Sequence, residues 1–285
     1  MKPNFNDAVK NFQNGKINEA KEICNEILKS EPDNFNAYYL LGVIAFQTRN
    51  YKQSEELISK AIEINSENFE FYNFIGIVLV HLNRFEEAIK NWTKAIEINP
   101  NSLDAYNNRG NALIKIKKNE SALKDFDQAI KIKPNFAQAY NNRGVARRET
   151  KLFDAALRDF EKSAQAKPDF AEGYYNKSLT LLSIGKLKEG FKLYEYRWET
   201  EHFQSQLRHF SQPLWLGNTD LTGKTILLHS EQGLGDSITD DGRSVGANGG
   251  GSAHTQFATG EIRLEAAHRS RVQVEALDVR LVDDV

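Results

Sequence analysis

The chain has 285 residues, which is long enough for one large domain or two ordinary ones. Of these residues 40% are hydrophobic, which is enough to form a buried core. Its 37 lysines and arginines nearly balance its 39 acidic residues, and the net charge of -2 gives no electrostatic reason to expect nucleic acid or an anionic membrane as a partner. The single cysteine, Cys24, excludes an internal disulfide and a thiolate metal cluster, and is typical of a reducing compartment.

The beginning of the chain lacks the apolar run of a signal peptide, and no run of about 18 apolar residues is present that could span a bilayer. We therefore expect a cytoplasmic protein without a membrane partner. No residue pattern indicates a cofactor or a metal ion.

A pattern of residues recurs every 34 positions from the first residues to about residue 200. The hexapeptide AYNNRG, for example, occurs at 105–110 and again at 139–144. In each unit a tyrosine is followed one helical turn later by a small residue, and a large residue follows further on. The tyrosines are Tyr38, Tyr72, Tyr106, Tyr140 and Tyr174, the small residues include Gly42, Gly76, Gly110 and Gly144, and the large residues are Ile58, Trp92, Phe126, Phe160 and Tyr194.

These positions have mechanical reasons that predict pairs of antiparallel helices. A glycine in the first helix allows the second helix to approach closely, and the large residue of the second helix then packs against it. A proline near the end of most units, such as Pro100 or Pro134, stops the second helix, and a following Asn or Asp caps the next one. We call the two helices of a unit helix A and helix B, and number the positions of each unit from 1.

The pattern closely resembles the tetratricopeptide repeat family. Five units match well, at 1–34, 35–68, 69–102, 103–136 and 137–170, and a sixth at 171–204 is degenerate, with Ser178, Gly190 and Arg197 at signature positions. The resemblance implies an all-α, right-handed superhelix of about six units over residues 1–204. It also implies that a partner protein or peptide binds along the concave wall, which helix A lines.

The resemblance places many asparagines on that wall, together with apolar residues nearer the N-terminus. An asparagine side chain both donates and accepts hydrogen bonds, so it can hold a peptide backbone, although an exposed asparagine can also be merely solvated. A similar asparagine ladder lines O-linked N-acetylglucosamine transferases. The apolar stretch could instead serve self-association. The expected groove residues are Tyr39, Asn73, Phe74, Ile77, Asn107, Asn108, Asn111, Asn141, Asn142, Arg148 and Asn176.

Two arginines stand in helix A where a packed helix would carry leucine. Arg109 and Arg143 occupy position 7 of their units, and the same two units carry Asp125 and Asp159 at position 23. The first two units have apolar residues, Ile23 and Leu57, at position 23. Because the charges occur together, we expect a structural ion pair between helix A and helix B in each of these two units.

After residue 204 the repeat ends. The segment TILLHSE at 225–231 is typical of a β-strand, and Gly233 with Gly235 is typical of a turn. A strand followed by a glycine turn is how α/β domains for nucleotides or sugars begin. The order of repeats followed by this segment resembles bacterial repeat proteins that carry a heptosyltransferase-like glycosyltransferase domain. That resemblance makes Asp236 a weak candidate for a catalytic base.

Too few residues follow the strand for the two halves of such a transferase, so we expect 205–238 to be a linker plus the first strand and turn of an incomplete α/β domain. No lysine follows Lys224 and glycines cluster at 249–251, which suggests that 239–285 is a non-native or poorly ordered tail. Two functions stay open. We favour a non-catalytic scaffold that binds an extended peptide, and the alternative is the recognition arm of a glycosyltransferase whose catalytic domain is incomplete in this chain.

Overall fold

The computed structural model describes residues 4–204 continuously and then five short segments, 225–230, 236–238, 244–246, 253–256 and 277–282. The chain divides into two compact units, Met1–Gln206 and Leu207–Val285, and we describe each by itself. No described helix is both long and apolar enough to cross a bilayer.

The first unit contains six consecutive pairs of helices. The pairs are α1 Phe5–Gln13 with α2 Ile17–Ser30, α3 Phe35–Gln47 with α4 Tyr51–Ile64, α5 Phe69–His81 with α6 Phe85–Ile98, α7 Leu103–Lys115 with α8 Asn119–Ile132, α9 Ala137–Glu149 with α10 Phe153–Ala166, and α11 Ala171–Ser183 with α12 Leu187–Tyr194. A 3₁₀ helix, Glu195–Glu199, and a short helix α13, Glu201–Gln204, follow. The predicted all-α stack of helix pairs is confirmed.

Every helix A ends in the same turn. Position 15 has a positive φ in all six units, at Gly15, Arg49, Asn83, Lys117, Lys151 and Gly185. The N–H of the following residue then donates to the carbonyl five residues earlier, as Leu152 does to Arg147 at 2.8 Å. This is the Schellman ending of a helix, in which glycine is the favoured residue at the left-handed position. Four units place a non-glycine residue there and so carry backbone strain.

The glycine of helix A lies directly against the large residue of helix B. A Cβ added to Gly76 would lie 2.5 Å from Trp92 Cε2, and one added to Gly110 would lie 2.6 Å from Phe126 Cε1. Trp92 also donates its indole N–H to the carbonyl of Asn73 at 3.0 Å. Helix A and helix B therefore pack at a distance that only glycine permits at this position.

Two serines replace the usual alanine in helix B without leaving an unsatisfied hydroxyl. Ser54 donates to the carbonyl of Gly42 at 2.8 Å, and Ser163 donates to the carbonyl of Ala137 at 2.8 Å. Both serines are fully buried. Each hydroxyl thus joins helix B to a helix A, since a buried polar group needs a partner.

The sixth unit ends in an aromatic cluster in place of a full helix B. Arg197 occupies the position where earlier units carry a small residue, and it is only 3% exposed. Its guanidinium lies 4.5 Å from the ring centres of both Tyr194 and Trp198. Tyr174 and Tyr196 stack beside it, with ring centres 4.4 Å apart. These rings and the guanidinium pack together around the end of α12.

The described residues of the second unit are five strands: β1 Thr225–Ser230, β2 Asp236–Ile238, β3 Ser244–Gly246, β4 Ala253–Gln256 and β5 Leu277–Val282. β1 lies between β4 and β5 and is antiparallel to both, and β2 pairs with β3 in an antiparallel hairpin. The strand expected in TILLHSE is present as β1. The expected α/β fragment is not shown, because the partners of β1 are antiparallel strands from 253–282. Gly233 and Gly235 lie outside the described residues.

Candidate functional site

The A helices of successive units lie side by side and form one wall of the stack, which we call the A-wall. α1 contacts α3, α5 contacts α7, α7 contacts α9, and α9 contacts α11, whereas each helix B lies against helix A of its own and the next unit. Neighbouring A helices approach one another, as is expected for the inner wall of a repeat superhelix. The expected groove residues lie on helices of this wall.

The N-terminal part of the A-wall is aromatic. The ring centre of Phe74 lies 5.7 Å from that of Tyr39 and 5.4 Å from that of Phe46. His81 lies edge-on to Phe46 at 4.9 Å and stacks on Tyr51 at 4.7 Å. We call these five residues the aromatic patch; four of them lie on α3 and α5, and Tyr51 begins α4 beside them. The side chains of the patch are partly exposed except for His81, which is exposed, and Ile77 nearby is also partly buried.

Tyr39 stays uncharged at any ordinary pH. Burial, and to a smaller extent the neighbouring carboxylate of Glu70, together raise the pKa of its hydroxyl to about 12. Tyr39 therefore offers the groove a hydroxyl that both donates and accepts hydrogen bonds.

Four of the expected asparagines bind one another. Asn176 Nδ2 donates to Asn141 Oδ1 at 3.1 Å, Asn141 Nδ2 donates to Asn142 Oδ1 at 3.3 Å, and Asn142 Nδ2 donates to Asn107 Oδ1 at 2.9 Å. Asn107 and Asn141 are only 4% and 5% exposed. We call this series the amide chain. It joins α7, α9 and α11, so its two buried members brace the stack rather than face a ligand.

The amide chain stops at α7, where two asparagines stay open. Asn108 and Asn111 are partly exposed, and neither makes a side-chain hydrogen bond within the described part of the chain. Asn73 holds the position of Asn107 one unit earlier, yet its buried Oδ1 has no partner among the described residues. In the next unit the residue equivalent to Asn108 is Asn142, and Asn142 donates to the Oδ1 of Asn107. Asn108 makes no such bond to the Oδ1 of Asn73. The open amides are therefore concentrated on α5 and α7.

The structure brings together each arginine of AYNNRG with an aspartate of helix B. Arg109 donates from Nε and Nη2 to the two oxygens of Asp125, at 2.8 and 2.7 Å, and from Nη1 to Thr93 Oγ1 at 3.0 Å. Burial by itself lowers the pKa of Arg109, but the hydrogen bonds and charge of Asp125 outweigh it and raise the pKa overall. Both side chains are largely buried, so this pair belongs to the core of its unit.

The second pair is part of a larger network. Arg143 donates to both oxygens of Asp159, at 3.0 and 2.7 Å, and its Nη1 donates to Asp127 at 2.6 Å. Arg147, one turn further along α9, donates to Asp159 at 2.7 Å. Thr93, Asp127 and Arg147 were not found by sequence reasoning. Thr93 and Asp127 each lie one unit before the arginine that they contact. The comparison of repeat positions looked only for pairs within a single unit.

Two other expected residues, Arg148 and Asp236, lie outside the amide chain, the aromatic patch and the ion pairs. Arg148 lies on α9 with its side chain 20% exposed, and its nearest carboxylate oxygen, on Glu149, is 3.7 Å away. Asp236, the candidate base, begins β2 opposite Gly246 in the hairpin. It is therefore not placed at a strand-to-helix turn of the kind on which that candidacy rested.

Four family models match the chain, and all describe repeats of one kind. Models described as tetratricopeptide repeat match residues 11–76, 103–136 and 137–170, and one described as TPR repeat matches 76–117. The comparison with curated protein sequences finds no match. Because all four models lie in the helical repeats, the resemblance to glycosyltransferases gains no support from them.

Solved structures of three other proteins illustrate the likeness in fold. YrrB, a TPR protein with an unusual peptide-binding site, is 24% identical, with 61% of this chain and 89% of that chain covered and a TM-score of 0.54. PilW, a type IV pilus biogenesis factor, is 19% identical, with 70% and 95% covered and a TM-score of 0.62. PilF of Pseudomonas aeruginosa is 18% identical, with 71% and 96% covered and a TM-score of 0.59.

At these identities the likeness shows the fold alone. The repeat of 34 residues, the glycines packed against large residues of helix B and the family models that together span 11–170 agree with one another. The chain belongs to the tetratricopeptide repeat family.

Proposed function

We propose that this chain is a non-catalytic scaffold that binds an extended segment of a partner protein along the A-wall. The observation that carries the proposal is the pair Asn108 and Asn111 on α7, whose partly exposed amides have no hydrogen-bond partner among the described residues. The two residues are three positions apart, so they lie on the same face of the helix. Together they offer two donors and two acceptors at one place.

An extended backbone presents donors and acceptors that such amides can satisfy. Asparagine provides both functions on a short side chain, and it does so without reading the side chains of the peptide. Asparagine is also a poor helix former, which makes two of them in the middle of α7 unfavourable for the helix itself. Peptide binding explains why asparagine occupies these two positions, whereas the stability of the helix does not.

The amide chain prepares the wall for a ligand. It links α7, α9 and α11 through hydrogen bonds between their asparagine side chains. A wall held in one arrangement loses less conformational entropy when a peptide binds, and so binds it more tightly. Asn107 and Asn141 thus support the binding surface from behind it.

The aromatic patch supplies apolar contact at the N-terminal end of the same wall. Phe46 and Phe74 are partly exposed and in contact with each other. Burying an apolar side chain of a ligand there would contribute about 1.5–3 kcal/mol. We infer a segment with an apolar residue over the patch and an extended backbone over α7. YrrB, a protein of the same fold, has a peptide-binding site, which supports peptide binding by a protein of this kind.

The test is binding of the full chain to an array of immobilised 12-residue peptides of varied sequence. We expect a subset of peptides to be retained, and we expect Asn108→Ala with Asn111→Ala to lose at least tenfold in affinity. The matched control is Asn18→Ala with Asn25→Ala, two exposed asparagines of α2, which should bind like the parent.

Two results would contradict the proposal. One is an array on which no peptide is retained above background. The other is equal loss of binding in the α2 control variant, because that would indicate damage to the fold. Sedimentation at several concentrations tests a different use of the aromatic patch, the pairing of two copies of the chain. Such pairing would appear as a dimer, and the double substitution Phe46→Ser with Phe74→Ser would abolish it.

A further inference from the structure

Arg148 carries a charge that the protein itself leaves nearly unpaired. Its Nη1 is buried and has no hydrogen-bond partner among the described residues. Its Nη2 lies 3.7 Å from Glu149 Oε1, which is too long for a strong hydrogen bond. The side chain is only 20% exposed, so water compensates the guanidinium poorly.

The other arginines on α7 and α9 are fully engaged. Arg109, Arg143 and Arg147 each donate to a buried aspartate at 3.0 Å or less. Arg148 follows Arg147 directly in the sequence, but it makes no hydrogen bond to helix B, and its charge interacts with Tyr175 on α11. Burial lowers the pKa of Arg148, whereas for Arg109 and Arg143 the aspartates overcome the same effect.

A partly buried guanidinium whose one carboxylate neighbour is 3.7 Å away is poorly compensated, and the group that relieves it best is a carboxylate held by two parallel hydrogen bonds. We propose that Arg148 binds the carboxylate of an aspartate or glutamate side chain in the extended segment that lies along the A-wall. This proposal rests on the function proposed above. Because Nη1 is buried, this binding requires the guanidinium to rotate so that Nη1 reaches the ligand, and a ligand oxygen then replaces the weak contact with Glu149.

The position of Arg148 favours a side chain over the C-terminal carboxylate of a ligand. α11 continues the wall beyond α9, and the aromatic cluster of Tyr194, Arg197 and Trp198 follows it. A segment that runs along the wall therefore passes Arg148 and does not have to end there. The partner segment is thus predicted to be acidic where it crosses α9, as well as extended over α7 and apolar over the aromatic patch.

The test uses two series of 12-residue peptides that are acetylated at the N-terminus and amidated at the C-terminus, identical except for one position that is Glu in one series and Gln in the other. Each peptide retained by the full chain is measured in solution by fluorescence anisotropy. We expect the Glu peptide of a matched pair to bind about 10- to 100-fold more tightly than its Gln partner. In Arg148→Gln this preference should disappear while the Gln peptides still bind.

Arg158→Gln is the control, because it removes one positive charge from an exposed site on α10. It should keep the full preference for Glu. Equal binding of both series by the parent chain overturns the role of Arg148 but leaves the proposed function standing, whereas retention of no peptide overturns both. A preference that survives in Arg148→Gln, or one that requires a free C-terminal carboxylate in a third, non-amidated series, also overturns the assignment. The melting temperature of Arg148→Gln should equal or exceed that of the parent, since an uncompensated charge has been removed.

Discussion

Asn142 donates its side-chain amide to Asn107 across 35 residues of sequence, at 2.9 Å, and this one contact changes how the asparagines of the A-wall are understood. Asn107 is 4% exposed, so the bond lies inside the stack and joins α7 to α9. Residues of one type on one wall thus have two roles. The buried amides hold neighbouring units together, and the partly exposed amides of α7 have no partner among the described residues.

The two roles predict opposite phenotypes for two alanine substitutions. Asn142→Ala leaves the buried oxygen of Asn107 without a donor and should lower the free energy of unfolding by about 1–3 kcal/mol. Asn108→Ala removes no hydrogen bond of the described structure and should change stability by less than about 0.5 kcal/mol. Denaturant unfolding followed by circular dichroism measures both. Equal destabilisation by the two substitutions would contradict the division of roles.

The pair Arg109 and Asp125 predicts a non-additive double substitution. Arg109→Ala leaves the carboxylate of Asp125, which is 5% exposed, without its counter-charge and should cost about 3 kcal/mol or more. Replacing both residues by leucine, as apolar side chains occupy position 23 in the first two units, should be much milder. Thermal and denaturant unfolding of the single and double variants decides this. A double variant as unstable as the single one would show that the pair stabilises the unit by more than mutual compensation.

The strained turns offer a route to a more stable protein. Lys151 has a φ of 61° at the end of α9, and Lys117 has a φ of 60° at the end of α7. Replacing either by glycine relieves an unfavourable left-handed conformation, at some cost from the freedom of glycine in the unfolded chain, and should gain about 0.5–1 kcal/mol. Asn83→Gly is the matched control and should gain less, because asparagine tolerates this conformation. A lower melting temperature for Lys151→Gly than for the parent would argue against strain at the turn.

Cys24 predicts a loss of stability at alkaline pH. Burial raises the pKa of its thiol from 9.0 to about 11. Between these values the unfolded chain has lost the proton while the folded chain still holds it. The free energy of unfolding is therefore unaffected by this thiol below pH 9, and it decreases as the pH rises from 9 toward 11. Unfolding measured across this range should show the decrease, and Cys24→Ala should reduce it.

The same burial makes the thiol unreactive in the folded protein. Cys24 is 0% exposed, so a thiol reagent at pH 8 should label it far more slowly in the native chain than in denaturant. Rapid labelling of the native chain would show that α2 opens readily. The Cys24→Ala chain provides the blank for the reagent.

Much of the repeat is predictable from the sequence because each unit contacts only its neighbours. The glycine of helix A and the large residue of helix B lie in the same unit, as Gly76 and Trp92 do, so their packing follows from comparing equivalent positions. The contact of Arg109 with Asp125 is also within one unit, and the joint replacement of both positions makes it visible. Strand β1 is predictable for a different reason, since its apolar, β-branched residues are a local signal.

The structure alone shows which groove residues are open. Asn107 and Asn108 are adjacent and chemically identical, yet one is bound to Asn142 and the other is open, because the outcome depends on the spacing between α7 and α9 and on side-chain rotation. Arg147 and Arg148 differ for the same reason, since Arg147 donates to Asp159 of helix B, whereas Arg148 has only a long contact with Glu149 on its own helix.

The partners of β1, at 253–256 and 277–282, were equally beyond a local pattern, since strand pairing joins residues that are distant in sequence. The sequence by itself therefore determined the repeat, its helix pairs and its internal packing, which follow from residues close along the chain. The tertiary structure decided which polar groups of the A-wall are already bonded and which remain for a ligand, because those bonds form between helices of different units.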